Sequence, residues 1–308
     1  MTEKQPVIAV VGPTASGKTA LSIGLAKALS GEIISADSMQ IYKGLEIASA
    51  APTDAEMAEV PHHLVRFIEP THRFSVAEYV NKASAAIAET ADAGHLPIVV
   101  GGTGLYVDSL LSGIRFKDED DPSVRRRLEA EADLYGMEHM LERLRLVDPK
   151  SAARLHINDR KRIIRALEIY EIHGMTVDEQ NELSRINGSP YRVLWIGINY
   201  KDRETLYKRI EKRIDLMIEN GLTDEARAAY EVSGKTAVQA IGHKEFFLFF
   251  EGKETLEQAV SRLKTETRHY AKRQITWFKR NGDINWIYAD ETDDVLSAAL
   301  SLARENGY

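Results

Sequence analysis

The 308-residue chain contains no cysteine. That excludes disulfides, a thiolate nucleophile, cysteine-ligated zinc and iron–sulfur clusters together. Long apolar runs are missing too. Val7-Ile-Ala-Val-Val11 is too short for a signal-peptide core or a membrane span, and no later run approaches membrane length. A cytoplasmic protein without a membrane segment is expected. Nor is there an excess of positive charge, since 40 Lys+Arg against 47 Asp+Glu leave a net charge of −7. A uniformly basic nucleic-acid binder is excluded, but a basic face on an acidic body is not. With 44% hydrophobic and 28% charged residues, the composition is that of a folded globular chain rather than a disordered one. Its length suits one large domain or two smaller ones.

The apolar, β-branched run Val7–Val11 predicts a buried parallel strand. A glycine-rich turn, Gly12–Thr19, leads into a helix over Ala20–Leu29 that stops at Ser30-Gly31. Ile33–Ala36 and Leu96–Val100 predict two more strands, the latter preceded by a helix over Ser75–Ala93. Gly101-Gly102-Thr103-Gly104 closes the third strand, and Leu105–Leu111 starts another helix. Strands alternating with helices imply a parallel sheet with right-handed crossovers. Beyond Lys117-Asp-Glu-Asp-Asp-Pro122 only helical patterns appear as far as Leu183, broken at Gly136, Pro149 and Gly174. Tyr191–Ile198 returns to strand. Helices over Asp202–Asn220 and Leu256–Arg280, a strand over Ile284–Ala289 and a last helix complete the pattern. The expected fold class is α/β, a P-loop parallel-sheet core over 1–115 and 191–308, interrupted by a helical insertion domain over 116–190.

Gly12, Pro13, Thr14, Ala15, Ser16, Gly17, Lys18 and Thr19 fill the pattern G-x-x-x-x-G-K-[ST], with a strand before and a helix after. The glycines let backbone N–H groups turn inward around phosphate oxygens, and the helix N-terminus adds its dipole. Lys18 supplies a point charge, and the Thr19 hydroxyl can bind Mg²⁺. The pattern specifies a phosphorylated ligand without saying which bond breaks. Asp37 stands just past the second strand, at the sheet edge where such ligands bind. A carboxylate there acts as a general base or a metal contact, or else caps the turn at Asp37-Ser38. Phosphate-loop NTPases usually end another strand in an acid that holds Mg²⁺. Here that strand runs into Gly101-Gly102-Thr103-Gly104, which argues against ordinary ATP hydrolysis. Thr103 either faces an acceptor from that edge or serves the tight turn.

Positive charge is concentrated in two stretches. Arg160, Lys161, Arg162 and Arg165 share a helix whose apolar stripe is Ile163, Ile164 and Leu167. Between Arg262 and Arg280, helical spacing puts Lys264, Arg268 and Lys272 on one face and Arg273, Trp277 and Arg280 on another. With Tyr270 nearby, this mixture suits phosphate tracking and base stacking, or an ordinary solvated helix. Arg209 and Arg213, one turn apart, either clamp a diphosphate or pair with neighbours such as Glu211. The adjacent His62 and His63 point apart on any regular element, so a structural role is expected rather than a metal site.

Taken in order, Gly12–Thr19, Ser35–Gly44, Val60-Pro-His-His-Leu64, Gly101–Tyr106, Lys161–Glu168, Ala240–Phe246 and Tyr270–Phe278 resemble the motifs of the bacterial tRNA dimethylallyltransferases, or tRNA isopentenyltransferases. The resemblance spans essentially the whole chain. It implies transfer of a dimethylallyl group from dimethylallyl diphosphate to N6 of the adenosine just 3′ of the anticodon, with Mg²⁺ as cofactor. The phosphate loop then holds a diphosphate leaving group, which accounts for the absent strand-end acid. By resemblance Asp37 is the general base, with Thr103 near the acceptor. Lys18, Thr19 and Arg213 form the diphosphate and metal clamp. The resemblance likewise implies tRNA contacts from Asp37, Ser38, Met39, Gln40 and Thr103. Further contacts are implied for Arg125, for Lys161, Arg162, Ile163, Ile164 and Arg165, and for Gln239, Gly242 and Lys244. On the tail helix they fall to Lys272, Arg273, Gln274, Trp277 and Lys279. The insertion is expected to grip the anticodon stem-loop, and the protein to be monomeric. Two positions depart from the family pattern: Ala51 stands where lysine is usual and His243 where tyrosine is usual.

The implied chemistry is coherent. An exocyclic adenine amine is a poor nucleophile until its proton is removed, the task expected of Asp37. Charge on the departing diphosphate is stabilised by Lys18, Arg213, Mg²⁺ and loop N–H groups. The target base must leave its stack to react. Two alternatives use the same loop: an isopentenyltransferase acting on free adenine nucleotides, which has no use for a basic insertion, and a small-molecule kinase.

Overall fold

A computed structural model describes residues 4–114, 121–185, 188–231 and 240–308. The chain forms two compact units, Met1–Leu111 with Pro190–Tyr308, and Ser112–Ser189.

The larger unit is built on a six-stranded sheet of β1 (Gln5–Val11), β2 (Gly31–Ser35), β3 (His62–His63), β4 (Leu96–Gly101), β5 (Tyr191–Asn199) and β6 (Asn285–Tyr288). The strand order is β3-β2-β4-β1-β5-β6, and every pairing is parallel. β1 is central, with Ala9 opposite Val99 on one side and Trp195 on the other. Its continuous apolar run is explained by burial on both faces. Val7, Ala9 and Val11 pack into one core with Tyr79, Ala83 and Val107, while Ile8 and Val10 pack into the other with Leu25 and Ala299.

Four early helices, α1 (Lys18–Leu29), α2 (Glu46–Ser49), α3 (Asp54–Glu59) and α4 (Val76–Asp92), precede β4, and α5 (Gly104–Leu111) follows it. The smaller unit holds α6 (Pro122–Val147), α7 (Pro149–Arg154), α8 (Arg160–His173) and α9 (Val177–Arg185). Gly136 leaves helical geometry inside α6 at φ 83. The larger unit resumes with β5, α10 (Arg203–Glu219), α11 (Leu222–Glu231), a 3₁₀ turn at Lys244–Phe246, α12 (Phe247–Phe250), α13 (Leu256–Phe278), β6 and α14 (Val295–Glu305). Helices α10, α11 and α13 share a core of Leu206, Ile210, Leu222, Phe246 and Leu263 beside the sheet's own.

Sequence patterning misses α11 and the short elements β3, α2, α3 and α12, the last four offering too few residues for a period to register. One expectation needs correction here. Ile163 and Ile164 are buried in the core of the smaller unit with Leu128, Met140 and Leu144, so their side chains do not reach RNA. Among the described residues no helix is long and apolar enough to cross a membrane.

Candidate active site

The phosphate loop links β1 to α1 at the C-terminal edge of the sheet. A Cβ on Gly12 would lie 2.2 Å from the carbonyl oxygen of Ile198 in β5, and its φ of 151° is open chiefly to glycine. Gly17, at φ 103°, is the N-cap of α1 and has no side chain to cap it. The first-turn N–H groups, which have no intrahelical partner, are left for an anion. Ser16 Oγ is buried with no hydrogen-bond partner among the described residues. The Lys18 ammonium lies across the loop, donating to the carbonyls of Gly12 (3.0 Å) and Pro13 (2.7 Å). Arg209 Nε braces the loop from α10 through the Ala15 carbonyl at 3.1 Å.

Past β2, Asp37 Oδ1 accepts the N–H groups of Met39 (2.8 Å) and Gln40 (3.4 Å). One carboxylate oxygen therefore closes the turn. The other has no hydrogen bond among the described residues. Thr103 Oγ1 accepts the Ser38 N–H at 3.0 Å and donates to Ser38 Oγ at 3.3 Å, tying this turn to the end of β4. Gln40 is itself held, its Oε1 accepting from Ser35 Oγ at 2.9 Å and its Nε2 donating to the Ala50 carbonyl at 3.2 Å.

One cavity of about 540 Å³ collects these groups. Thr14–Thr19, Asp37–Gln40 and Arg213 line it, together with an apolar wall of Leu45, Ala48, Ile210, Ile214, Met217, Ile241 and Leu263. Arg213 forms no ion pair among the described residues, and Glu211 instead holds Arg268 at 3.1 Å. Burial pulls the Lys18 amine down to about 7, helped by the Arg213 charge and opposed by Asp37. Burial also lowers Arg213 from its ordinary value, again against Asp37. The cavity thus confines the Lys18 amine, the Arg213 guanidinium and one carboxyl group beside an apolar surface. It can hold an anionic leaving group, an apolar tail and a proton acceptor at once.

An IPP transferase family model matches residues 40–281, and an isopentenyl transferase model matches residues 5–65. The chain belongs to the IPP transferase family. A tRNA dimethylallyltransferase of Bacillus cytotoxicus is 46% identical over 301 residues, covering 97% of this chain and 94% of that one. Another, from Caldanaerobacter subterraneus, is 43% identical over 291 residues, 92% of each chain. The solved tRNA isopentenylpyrophosphate transferase of Bacillus halodurans is 40% identical, with a TM-score of 0.71 and 98% coverage of both chains. A eukaryotic dimethylallyltransferase acting on tRNA is 29% identical with a TM-score of 0.84, covering 98% of this chain and 79% of that one.

The remaining expected site residues of this IPP transferase divide sharply. Gln274 is buried at the cavity wall, where its Oε1 accepts the Thr14 N–H and its Nε2 donates to the Gly102 carbonyl within the protein. Trp277 is half-buried, packing against the sheet core while its indole N–H donates to Asp108 Oδ2 at 2.7 Å. Lys272, Arg273 and Lys279 are exposed and have no carboxylate partner among the described residues, whereas Lys264 and Arg268 pair with Asp215 and Glu211. Gly242 lines the cavity, Lys244 is exposed, and Gln239 lies outside the described residues.

In the smaller unit, Lys161 and Arg162 are exposed, Arg162 standing 3.7 Å from Asp159. Arg125 and Arg165 both reach the buried Glu168, at 3.5 and 2.8 Å. His63 pairs with Glu32 at 2.6 Å, and no metal-holding cluster occurs among the described residues. Sequence reasoning also missed Glu225, which accepts the N–H groups of Ile47 (2.7 Å) and Ala48 (2.9 Å) and pairs with the buried His243 at 2.9 Å. His243 thus anchors α2 through Glu225. Nothing in the structure explains Ala51.

The lowered Lys18 amine makes anion binding pH-linked. A bound diphosphate favours the charged amine and raises its pKa. Between about 7 and the ordinary 10.5, the free amine is mostly neutral and the bound one charged. Binding therefore takes up a proton there, and affinity weakens as pH rises. Calorimetry of inorganic diphosphate binding in two buffers of different ionisation heat at about pH 8 should show this uptake. Lys18→Arg, charged throughout, should lack it. Equal uptake in both proteins would contradict the assignment.

Proposed function

We propose that this IPP transferase moves a dimethylallyl group from dimethylallyl diphosphate to N6 of the adenosine 3′ of the anticodon in tRNA, releasing diphosphate. The observation that carries this reading is the single cavity that joins a phosphate loop, Arg213 and Asp37 to an apolar wall. A nucleotide kinase needs no such wall beside its reacting phosphate. The tRNA-directed names of its relatives agree with it.

In the reaction, the N6–C1 bond forms as the C1–O bond to diphosphate breaks, and the N6 proton passes to Asp37. The free oxygen of Asp37 is the acceptor, while its partner oxygen holds the turn and so fixes the base in place. The loop N–H groups, Ser16 Oγ, Lys18 and Arg213 receive the charge that develops on the leaving oxygen. The Thr19 hydroxyl is a hard-oxygen ligand bordering the same cavity, so it suits Mg²⁺, which usually takes only one or two protein ligands beside phosphate oxygens and water. When bound, it would supply further positive charge to the diphosphate. The apolar wall excludes water from the allylic carbon and so favours the amine over hydrolysis. The adenine must be extruded from its stack to reach Asp37.

The protein works as a cytoplasmic monomer in this reading. Each unit offers exposed cations to tRNA phosphates: Lys161 and Arg162 on the smaller, and Lys272, Arg273 and Lys279 at the end of α13 on the larger. Arg125 and Arg165 serve first to neutralise Glu168.

With labelled dimethylallyl diphosphate, label should pass to an anticodon stem-loop and not to AMP. Asp37→Ala should lower the single-turnover rate by about 10²–10⁴-fold at unchanged stem-loop affinity. Label on AMP alone would redirect the function, and an unaltered rate would remove Asp37 from the chemistry. Replacing Lys272 and Lys279 by alanine should flatten the log–log dependence of stem-loop affinity on salt by about 0.7 for each lost phosphate contact. An unchanged slope would leave these lysines as ordinary surface charge.

A further inference from the structure

We infer that Gln274 is a positioning residue that holds the donor's phosphate loop and the acceptor's Asp37 turn in register. The inference rests on the reading of that loop as the diphosphate site and of Asp37 as the base.

Gln274 lies in α13, far in sequence from the two backbone groups that it joins. Its Oε1 accepts the Thr14 N–H of the phosphate loop at 2.8 Å, and its Nε2 donates to the Gly102 carbonyl at 3.0 Å. The two backbone groups fix the orientation of the amide, since the N–H can only donate and the carbonyl only accept. The side chain is buried at the cavity wall. Gly102 completes the fit: a Cβ there would stand 2.1 Å from Gln274 Nε2.

The next residue carries the link onward. The Thr103 hydroxyl binds both the backbone N–H and the hydroxyl of Ser38, and Ser38 adjoins Asp37. One amide thus joins the loop that cradles the leaving group to the turn that carries the base. A shift of about 1 Å between reacting groups can cost about 10²-fold in rate, so a strut between them acts on turnover. The bonds that Asp37 and Lys18 make are local to their own loops. They do not set the distance between those loops.

Gln274→Glu tests this with almost no change of volume. It keeps an acceptor for Thr14 but sets an ionised oxygen against the Gly102 carbonyl. Turnover should fall roughly 10- to 100-fold, with stem-loop Kd unchanged. The ratio of wild-type to variant turnover should shrink as pH falls, because the introduced carboxyl, once protonated, regains a donor for Gly102. Gln274→Met, lacking both polar atoms, should lose turnover at every pH without this recovery. Both variants should also bind inorganic diphosphate more weakly than wild type, a readout that holds even if the wild-type protein prenylates nothing. In the wild-type protein the Thr14 amide hydrogen should exchange slowly, which requires no variant to fold. Unchanged turnover and diphosphate affinity in folded variants would overturn the inference. So would weakened stem-loop binding with turnover intact, a pH-independent ratio for Gln274→Glu, or a rapidly exchanging Thr14 amide.

Discussion

The site depends on how closely β1 and β5 approach where the phosphate loop leaves the sheet. A side chain at Gly12 would run into the Ile198 carbonyl oxygen at 2.2 Å, so the chain turns there on bare backbone. That turn leads into the N-terminus of α1, whose first-turn N–H groups and helix dipole favour an anion. Lys18 bridges the same loop from the first turn of the helix, and Ser16 is sealed beneath it. Anion affinity is built into the junction of strand and helix before any side chain chooses a substrate.

Charge then divides the cavity. Lys18 and Arg213 repel one another, and burial lowers both. Asp37 offsets part of this while keeping one oxygen for its own turn. An incoming diphosphate satisfies both cations at once, so the free site is electrostatically poised for it. Beside it, Leu45, Ile214, Met217 and Leu263 offer no polar group to a ligand. A phosphate loop with an apolar flank and no acid at the end of β4 suits release of a diphosphate from carbon better than transfer of a phosphoryl group.

Sequence carries the parallel sheet and the loop because their signals are local: an apolar run, a glycine spacing, a helix behind it. Asp37 is legible by position at the strand edge, although its turn-capping bond reads there only as an alternative to chemistry. The structure has one oxygen in the turn and, among the described residues, leaves the other unbonded. The internal bonds of Gln274 are not legible in sequence, because its backbone partners lie 260 and 172 residues away. Ile163 and Ile164 mislead as apolar residues inside a basic run. Glu225 gives no signal, since an acid on an amphipathic helix looks like solvated surface until α2 is folded against it.

The central claim is that the loop holds a leaving group and that a carbon–oxygen bond breaks. Dimethylallyl diphosphate labelled with ¹⁸O at the bridging position between C1 and phosphorus tests it directly. After turnover with an anticodon stem-loop, mass spectrometry should find all of the label in the released diphosphate and an unlabelled dimethylallyl group on adenine. Label retained on the organic fragment would mean that a phosphorus–oxygen bond had broken, and would contradict the account.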